Sequence, residues 1–459
     1  MRIRTINPAT GDLFEEYPSH TDREVDEIVR RAEAAFGSWR RLSFADRAQP
    51  MRRAADILRQ RKQEIGELMA REMGKPVTQG IAEAEKCAWV CEYYADHAEE
   101  FLASQAVETD ASTSYVAFRP LGIVLAIMPW NYPFWQVFRF AAPGLMAGNA
   151  GLLKHAPNVT GCAMAIEKIF TDAGFPAGLF SALRFTAEET GRRTAQLIAN
   201  PTIRAVTLTG SVRAGKAVAA AAGAHLKKTV LELGGSDPYV VLEDADLTEA
   251  VATCVTSRLL NSGQSCIAAK RFVVVDAVRD RFVRMLVEEM GTKKMGDPFA
   301  ADTDLGPQAR LDLRENLHRQ VTESVAEGAT LLLGGKLPDG PGAFYPPTVL
   351  AEVKPGMPAY EEELFGPVAA VLSAKDTADA VRIANDTSFG LGAAVFTSDV
   401  QAGERIAAEE LEAGCCFVNA FVKSDPRLPF GGIRASGYGR ELGVFGIREF
   451  VNVKTVYVR

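Results

Sequence analysis

The chain is predicted to be an α/β protein with two sheet-bearing domains, and three observations carry that expectation. Its 459 residues exceed what a single hydrophobic core organises. With 47% hydrophobic and 24% charged residues and no low-complexity tract, it has the composition of a globular protein able to bury such cores. From Ser114 onward, short β-rich runs alternate with helical segments, the pattern of parallel sheets covered on both faces.

The elements follow in order. Thr21-Asp-Arg-Glu24 is a capping box, and Val25, Ile28, Val29, Ala32 and Phe36 then share one helical face. A second amphipathic stretch from Ser43 stops at Gly74-Lys-Pro76, so the first hundred residues read as helical scaffold. TSYVAF and GIVLAIMP open the β-rich part, and AGLLKH, RAVTLTG and KTVLELGG continue it between helices. After Gly235 the alternation resumes with PYVVLED, a helix to about Leu260, RFVVVD and a charged helix from about Val278. ATLLLGG, VAAVLSA, LGAAVFT and CCFVNA complete it. Two α/β domains joined near Glu232 to Gly235 fit this order, and no short internal repeat is present.

Composition removes several functions. The net charge is −7, and no Lys/Arg cluster with interleaved aromatics is present to track a phosphate backbone, which argues against nucleic acid. MRIRTINPATGD carries no long apolar run, and no stretch of about eighteen apolar residues occurs anywhere, so a cytoplasmic protein without membrane partners is expected. Seven thinly spread cysteines read as reduced thiols. Cys87 and Cys91 stand four apart but lack a second Cys/His pair, and the five histidines are scattered, so no metal is expected.

Val206-Thr-Leu-Thr-Gly-Ser-Val-Arg-Ala-Gly-Lys-Ala217 reads as a strand, a tight glycine turn and a helix start, where free N–H groups favour an anion such as a cofactor pyrophosphate. The spacing is not GxGxxG. It does satisfy GxxxxGK through Gly210, Gly215 and Lys216, which raises a P-loop nucleotidase as a distant alternative. Ala217, however, stands where the magnesium-binding Ser or Thr belongs. A plain glycine turn is the remaining reading.

Three further segments bear on chemistry. Asn261-Ser-Gly-Gln-Ser-Cys-Ile267 sets Cys266 in a short polar turn, whereas Cys254 lies in the apolar run of a packed thiol. Glu232 ends the strand KTVLE and precedes two glycines; partial desolvation there raises a carboxylate toward the range of a general base, the alternative being a solvated strand end. Asn131, in Met128-Pro-Trp-Asn-Tyr-Pro-Phe-Trp135, stands before Pro133 as a helix cap or as an amide free to donate toward an oxyanion.

Together with these, PWNYP (129–133), LTGSVRAG (208–215), LELGG (231–235), NSGQSC (261–266), EELFGPV (362–368) and PFGG…SGYGRE (429–441) make the chain resemble the aldehyde dehydrogenase superfamily over essentially its full length. The resemblance implies a variant Rossmann cofactor domain (1–108 and 122–231), an α/β catalytic domain (232–430) and a small β oligomerisation arm (109–121 and 445–459), with a homodimer or homotetramer expected. It implies that Cys266 attacks an aldehyde, that Asn131 and the Cys266 N–H hold the oxyanion, and that Glu232 activates the water that cleaves the thioester. Ser211 with Gly210 would meet the pyrophosphate of NAD or NADP, Lys154 the adenosine ribose, Glu363 and Phe365 the nicotinamide side, and Trp130 and Leu233 complete the cofactor set. Where many NAD-preferring relatives carry a glutamate, Pro157 and Asn158 stand here, so a 2′-phosphate meets less repulsion.

The segment is similar to succinate-semialdehyde dehydrogenases, in which an arginine at the place of Arg139 binds the substrate carboxylate. Asn131, Trp135 and Arg139 are spaced i, i+4, i+8 and are expected to face one way; a structural salt bridge is the other reading of Arg139. The chain departs from some of those relatives at Leu260, where a second arginine stands, and Arg427 or Ser424 is expected to compensate. An NAD(P)-dependent succinate-semialdehyde dehydrogenase is therefore expected, with another aldehyde specificity or a CoA-acylating variant as alternatives.

Overall fold

A computed structural model describes residues 1–459. Thr21 closes the predicted capping box at the start of helix Asp22–Trp39. The stretch from Ser43 forms two helices, Phe44–Gln60 and Lys62–Met73, the second ended by Gly74 in the left-handed conformation. A 25-residue helix, Val77–Phe101, follows.

A six-stranded sheet has the order Gly437–Tyr438, Lys228–Glu232, Ile203–Thr209, Ile123–Met128, Ala150–His155, Phe180–Leu183. All neighbours are parallel except the first pair. The chain builds outward from Ile123–Met128 in one direction, then returns to its other side with Ile203–Thr209. That reversal opens a crevice beyond the strand carboxyl ends.

The second sheet has seven strands in the order Thr330–Leu333, Thr348–Ala351, Val368–Ala374, Arg271–Val275, Pro238–Val241, Gly392–Phe396, Cys415–Val418. Its central strands are buried on both faces: Val273 and Val275 enter one apolar core, Phe272 and Val274 the other, while the edge strand Thr330–Leu333 is largely exposed. Helices cover each side, which explains why these segments read as continuous hydrophobic runs.

A third sheet pairs Val451–Val458 antiparallel with Thr113–Pro120, which also pairs with Gln105–Ala106. No helix is long and apolar enough to cross a membrane.

Candidate active site

The NSGQSC loop joins helix Leu247–Leu259 to strand Arg271–Val275 through unusual backbone. Asn261, Ser262 and Gly263 are all left-handed, at φ 57°, 54° and 74°. A β-carbon at Gly263 would lie 2.3 Å from the Gly366 carbonyl, so only glycine fits. The strain at Ser262 is held by tertiary bonds: its hydroxyl donates to the Gly306 carbonyl (3.0 Å), and Arg258 Nη2 donates to the Gly263 carbonyl (2.6 Å). Buried Lys270 donates to the carbonyls of Ser265 (2.9 Å) and Cys266 (2.7 Å), fixing the loop from below.

Cys266 lines a cavity of about 560 Å³ together with Trp135, Arg139, Ser424 and Arg427. Burial pushes its thiol up to about 12, against the pull of Arg139 and Lys270, so it is protonated at rest.

Asn131 is buried beside this loop, and its Nδ2 donates to the Gln264 carbonyl at 3.1 Å, two residues before the cysteine. It caps no helix. The helix begins at Trp135 with Phe134 in the cap position, because the turn before it is anchored differently. Glu83 Oε1 accepts from the N–H groups of Phe134 and Trp135, both at 2.9 Å, and its carboxylate is ion-paired with buried Lys75. A carboxylate at this end also complements the helix dipole. From behind, the His155 ring holds the same turn: Nε2 lies 2.9 Å from the Pro133 carbonyl, and Nδ1 lies 3.0 Å from the Ala156 N–H and 3.2 Å from the Met128 carbonyl. Burial pushes this imidazole down to about 4, so it is neutral. The i, i+4, i+8 helical spacing therefore holds only for Trp135 and Arg139, since Asn131 lies outside the helix.

Glu232 is 2% exposed, and both its carboxylate oxygens lack hydrogen-bond partners. Burial, then the neighbouring Glu441, raises its pKa well above the carboxylate range, opposed by Arg139. Glu441 comes from the SGYGRE motif, brought here because Gly437–Tyr438 pairs with Leu231 and Glu232. Arg139 is ion-paired with Glu441, and its Nη2 donates to the Thr209 hydroxyl at 3.2 Å. The salt-bridge reading of Arg139 thus describes its contacts, while the residue still borders the cavity. Arg427 is largely exposed and pairs with Asp425.

The expected cofactor residues gather at the carboxyl ends of the six-stranded sheet. Trp130 follows Ile123–Met128, Lys154 lies near the end of Ala150–His155, Gly210 and Ser211 follow Ile203–Thr209, and Leu233 follows Lys228–Glu232. Ser211 caps helix Val212–Ala224, accepting from Ala214 N–H at 3.3 Å. Only Gly210 and Ser211 separate strand from helix, too few to wrap a phosphate as a P-loop does, and Lys216 is exposed in the second turn. The nucleotidase reading fails on that geometry. Gly215 lets the helix approach closely, since a β-carbon would meet Leu233 at 2.6 Å. Lys154 is buried, which pushes its amine down to about 8, and Asn158 Nδ2 is buried without an acceptor. Two donors with unspent capacity and no carboxylate between them fit an anionic, hydroxyl-bearing group. Across the crevice, Phe365 meets Trp130 edge-on at 5.7 Å, and Glu363 accepts from Gly235 N–H at 3.0 Å.

One expectation is overturned. Helix Val77–Phe101, read as scaffold, supplies a wall of the cavity through Gln79, Glu83, Lys86 and Trp89. Its face toward the active site is polar and its other buried face apolar, a division that periodicity alone reports as ordinary amphipathicity. Lys86, Glu83 and Lys270 carried no motif. Glu441 did lie within a quoted motif, but nothing in its spacing pointed to Arg139.

The aldehyde dehydrogenase family model matches residues 1–456. A probable succinate-semialdehyde dehydrogenase [NADP(+)] of Synechocystis sp. is 51% identical over all of both chains. The succinate semialdehyde dehydrogenase [NAD(P)+] Sad of Escherichia coli is 47% identical, covering 99% of this chain and 97% of that one. The crystal structure of succinic semialdehyde dehydrogenase from Streptococcus pyogenes in complex with NADP+ superposes with a TM-score of 0.96, at 36% identity and 99% coverage of each chain.

Proposed function

Because the chain belongs to the aldehyde dehydrogenase family, we propose that it oxidises succinate semialdehyde to succinate with NAD(P)+, through a thioester on Cys266. The observations that carry the reading are a cavity-lining, strained-loop thiol and a buried carboxylate, Glu232, that has no hydrogen-bond partner and a raised pKa, with the Arg139 charge acting on both.

The thiol proton passes to Glu232 as the Cys266 sulfur bonds to the aldehyde carbon. The resulting alkoxide takes hydrogen bonds from the Asn131 amide and the Cys266 N–H. Bound NAD(P)+ supplies the hydride acceptor that converts this adduct to the thioester. Glu232 releases the thiol proton to solvent before hydrolysis, then takes a proton from the water that attacks the thioester and returns it to the departing Cys266 sulfur. Ser211 with Gly210, Lys154, Trp130, Leu233, Glu363 and Phe365 would hold the cofactor. The absence of a carboxylate at positions 157 and 158 and the free donors of Lys154 and Asn158 favour NADP+. Trp135, Arg139 and Ser424 border the substrate space.

We further assign the division into cofactor, catalytic and arm segments, a cytoplasmic location, and a homo-oligomer built through the third sheet. The exposed Val453 and Tyr457 on its terminal strand support the last.

The test is reduced-cofactor formation by the purified chain across a panel of aldehydes. Turnover of succinate semialdehyde with NADP+, abolished in Cys266→Ala, is expected; full activity in that variant would overturn the nucleophile assignment. Turnover that required coenzyme A would move the reading to the acylating class.

A further inference from the structure

Three cations of the cavity region are already compensated. Arg139 is ion-paired with Glu441, Arg427 with Asp425, and Lys75 with Glu83. Lys423 is exposed. Lys86 differs from all of these. It projects from helix Val77–Phe101 into the cavity that holds Cys266, and its ammonium makes one hydrogen bond, to the neutral hydroxyl of Ser424 at 3.0 Å. It also lies 4.2 Å from the centre of the Trp135 ring, whose indole N–H donates to the same Ser424 oxygen at 3.0 Å. No carboxylate pairs with it.

A half-buried ammonium held between an aromatic face and a hydroxyl retains donors for an anion. It is also worth more to that anion than a solvated surface lysine would be. Ser424, which receives two donors, turns its own hydroxyl hydrogen elsewhere and offers a second donor beside the first. We propose that Lys86, with Ser424, is the specificity-determining cation that binds the distal carboxylate of the substrate. The position replaces the arginine expected at Leu260, and the assignment rests on the semialdehyde reading above.

Burial and the repulsion of Arg139 push the Lys86 amine down to about 8. The groups around it are Cys87 and Glu83 on its own helix, Arg139 on the next, and Asp425 on the loop that carries Ser424. The amine is cationic below about pH 8 and neutral above, so KM for an acid-ended aldehyde rises through that range while KM for a neutral one does not.

The experiment compares succinate semialdehyde with butanal, a neutral aldehyde of equal carbon number, in the wild type, Lys86→Met and Lys86→Arg. The ratio of kcat/KM for the two substrates is expected to fall by on the order of 10- to 100-fold in Lys86→Met, through KM, with most of it restored in Lys86→Arg. A wild type that prefers succinate semialdehyde while Lys86→Met keeps that preference would overturn the Lys86 assignment alone. A wild type with no preference would overturn the semialdehyde reading and this inference with it. Should Lys86→Met fail to fold, the wild-type pH series decides: a KM for succinate semialdehyde that stays flat above about pH 8 overturns the assignment.

Discussion

The carboxylate of Glu441 meets the guanidinium of Arg139 where neither reaches solvent, their side chains being 4% and 2% exposed. Arg139 is also the charge common to Cys266 and Glu232, pulling both of their pKa values down. Replacing it with Met leaves Glu441 as an unpaired buried charge, at a cost of about 3–5 kcal/mol in stability. Its effect on turnover is expected to be equal for succinate semialdehyde and butanal, in contrast to Lys86→Met. Denaturant unfolding and kinetics on both substrates check this; a loss confined to succinate semialdehyde would instead make Arg139 the carboxylate ligand.

Glu441→Gln removes the like charge that helps to raise the Glu232 pKa and frees Arg139 to lower it further. Both changes act in one direction. In the proposed mechanism Glu232 works deprotonated, so the acid limb of kcat/KM against pH is expected to move to lower pH. A limb that stays in place would show that another group sets it.

Asn131→Ala is expected to lower kcat by about 10²–10³-fold with little change in KM, the effect of losing one oxyanion donor. Steady-state kinetics with succinate semialdehyde measure the split, and an unchanged kcat would remove Asn131 from the oxyanion site.

Glu83→Ala strips the partner from buried Lys75 and the acceptor from the Phe134 and Trp135 N–H groups. A loss of about 3–5 kcal/mol is expected in urea unfolding. Glu83→Gln, which keeps an acceptor oxygen, is expected to recover part of it.

Deleting residues 451–459 exposes the edge of Thr113–Pro120 and removes the terminal strand. The expected outcome is a smaller species in light scattering. An unchanged mass would place the assembly contact elsewhere.

Residue order alone was enough to read the family and the parallel sheets, and to single out candidate residues where chain direction bears on chemistry. Buried parallel strands announce themselves as apolar runs. Glu232 and Ser211 stand at a strand end and a helix start, and Cys266 in a polar turn between helix and strand, where local pattern and the proposed roles coincide. Tertiary structure alone decided which charges face one another. Arg139 and Glu441 are about three hundred residues apart in the chain, and Lys86 and Ser424 more than that. Their pairing depends on a two-residue strand, Gly437–Tyr438, and on a loop laid across the helix Val77–Phe101, neither of which has a periodic signature. Helical amphipathicity reports that a face is polar, but not whether that face meets water or lines a cavity. For that reason Cys266 was legible in the sequence as the candidate nucleophile, while the cation proposed to select its substrate emerged only from the fold.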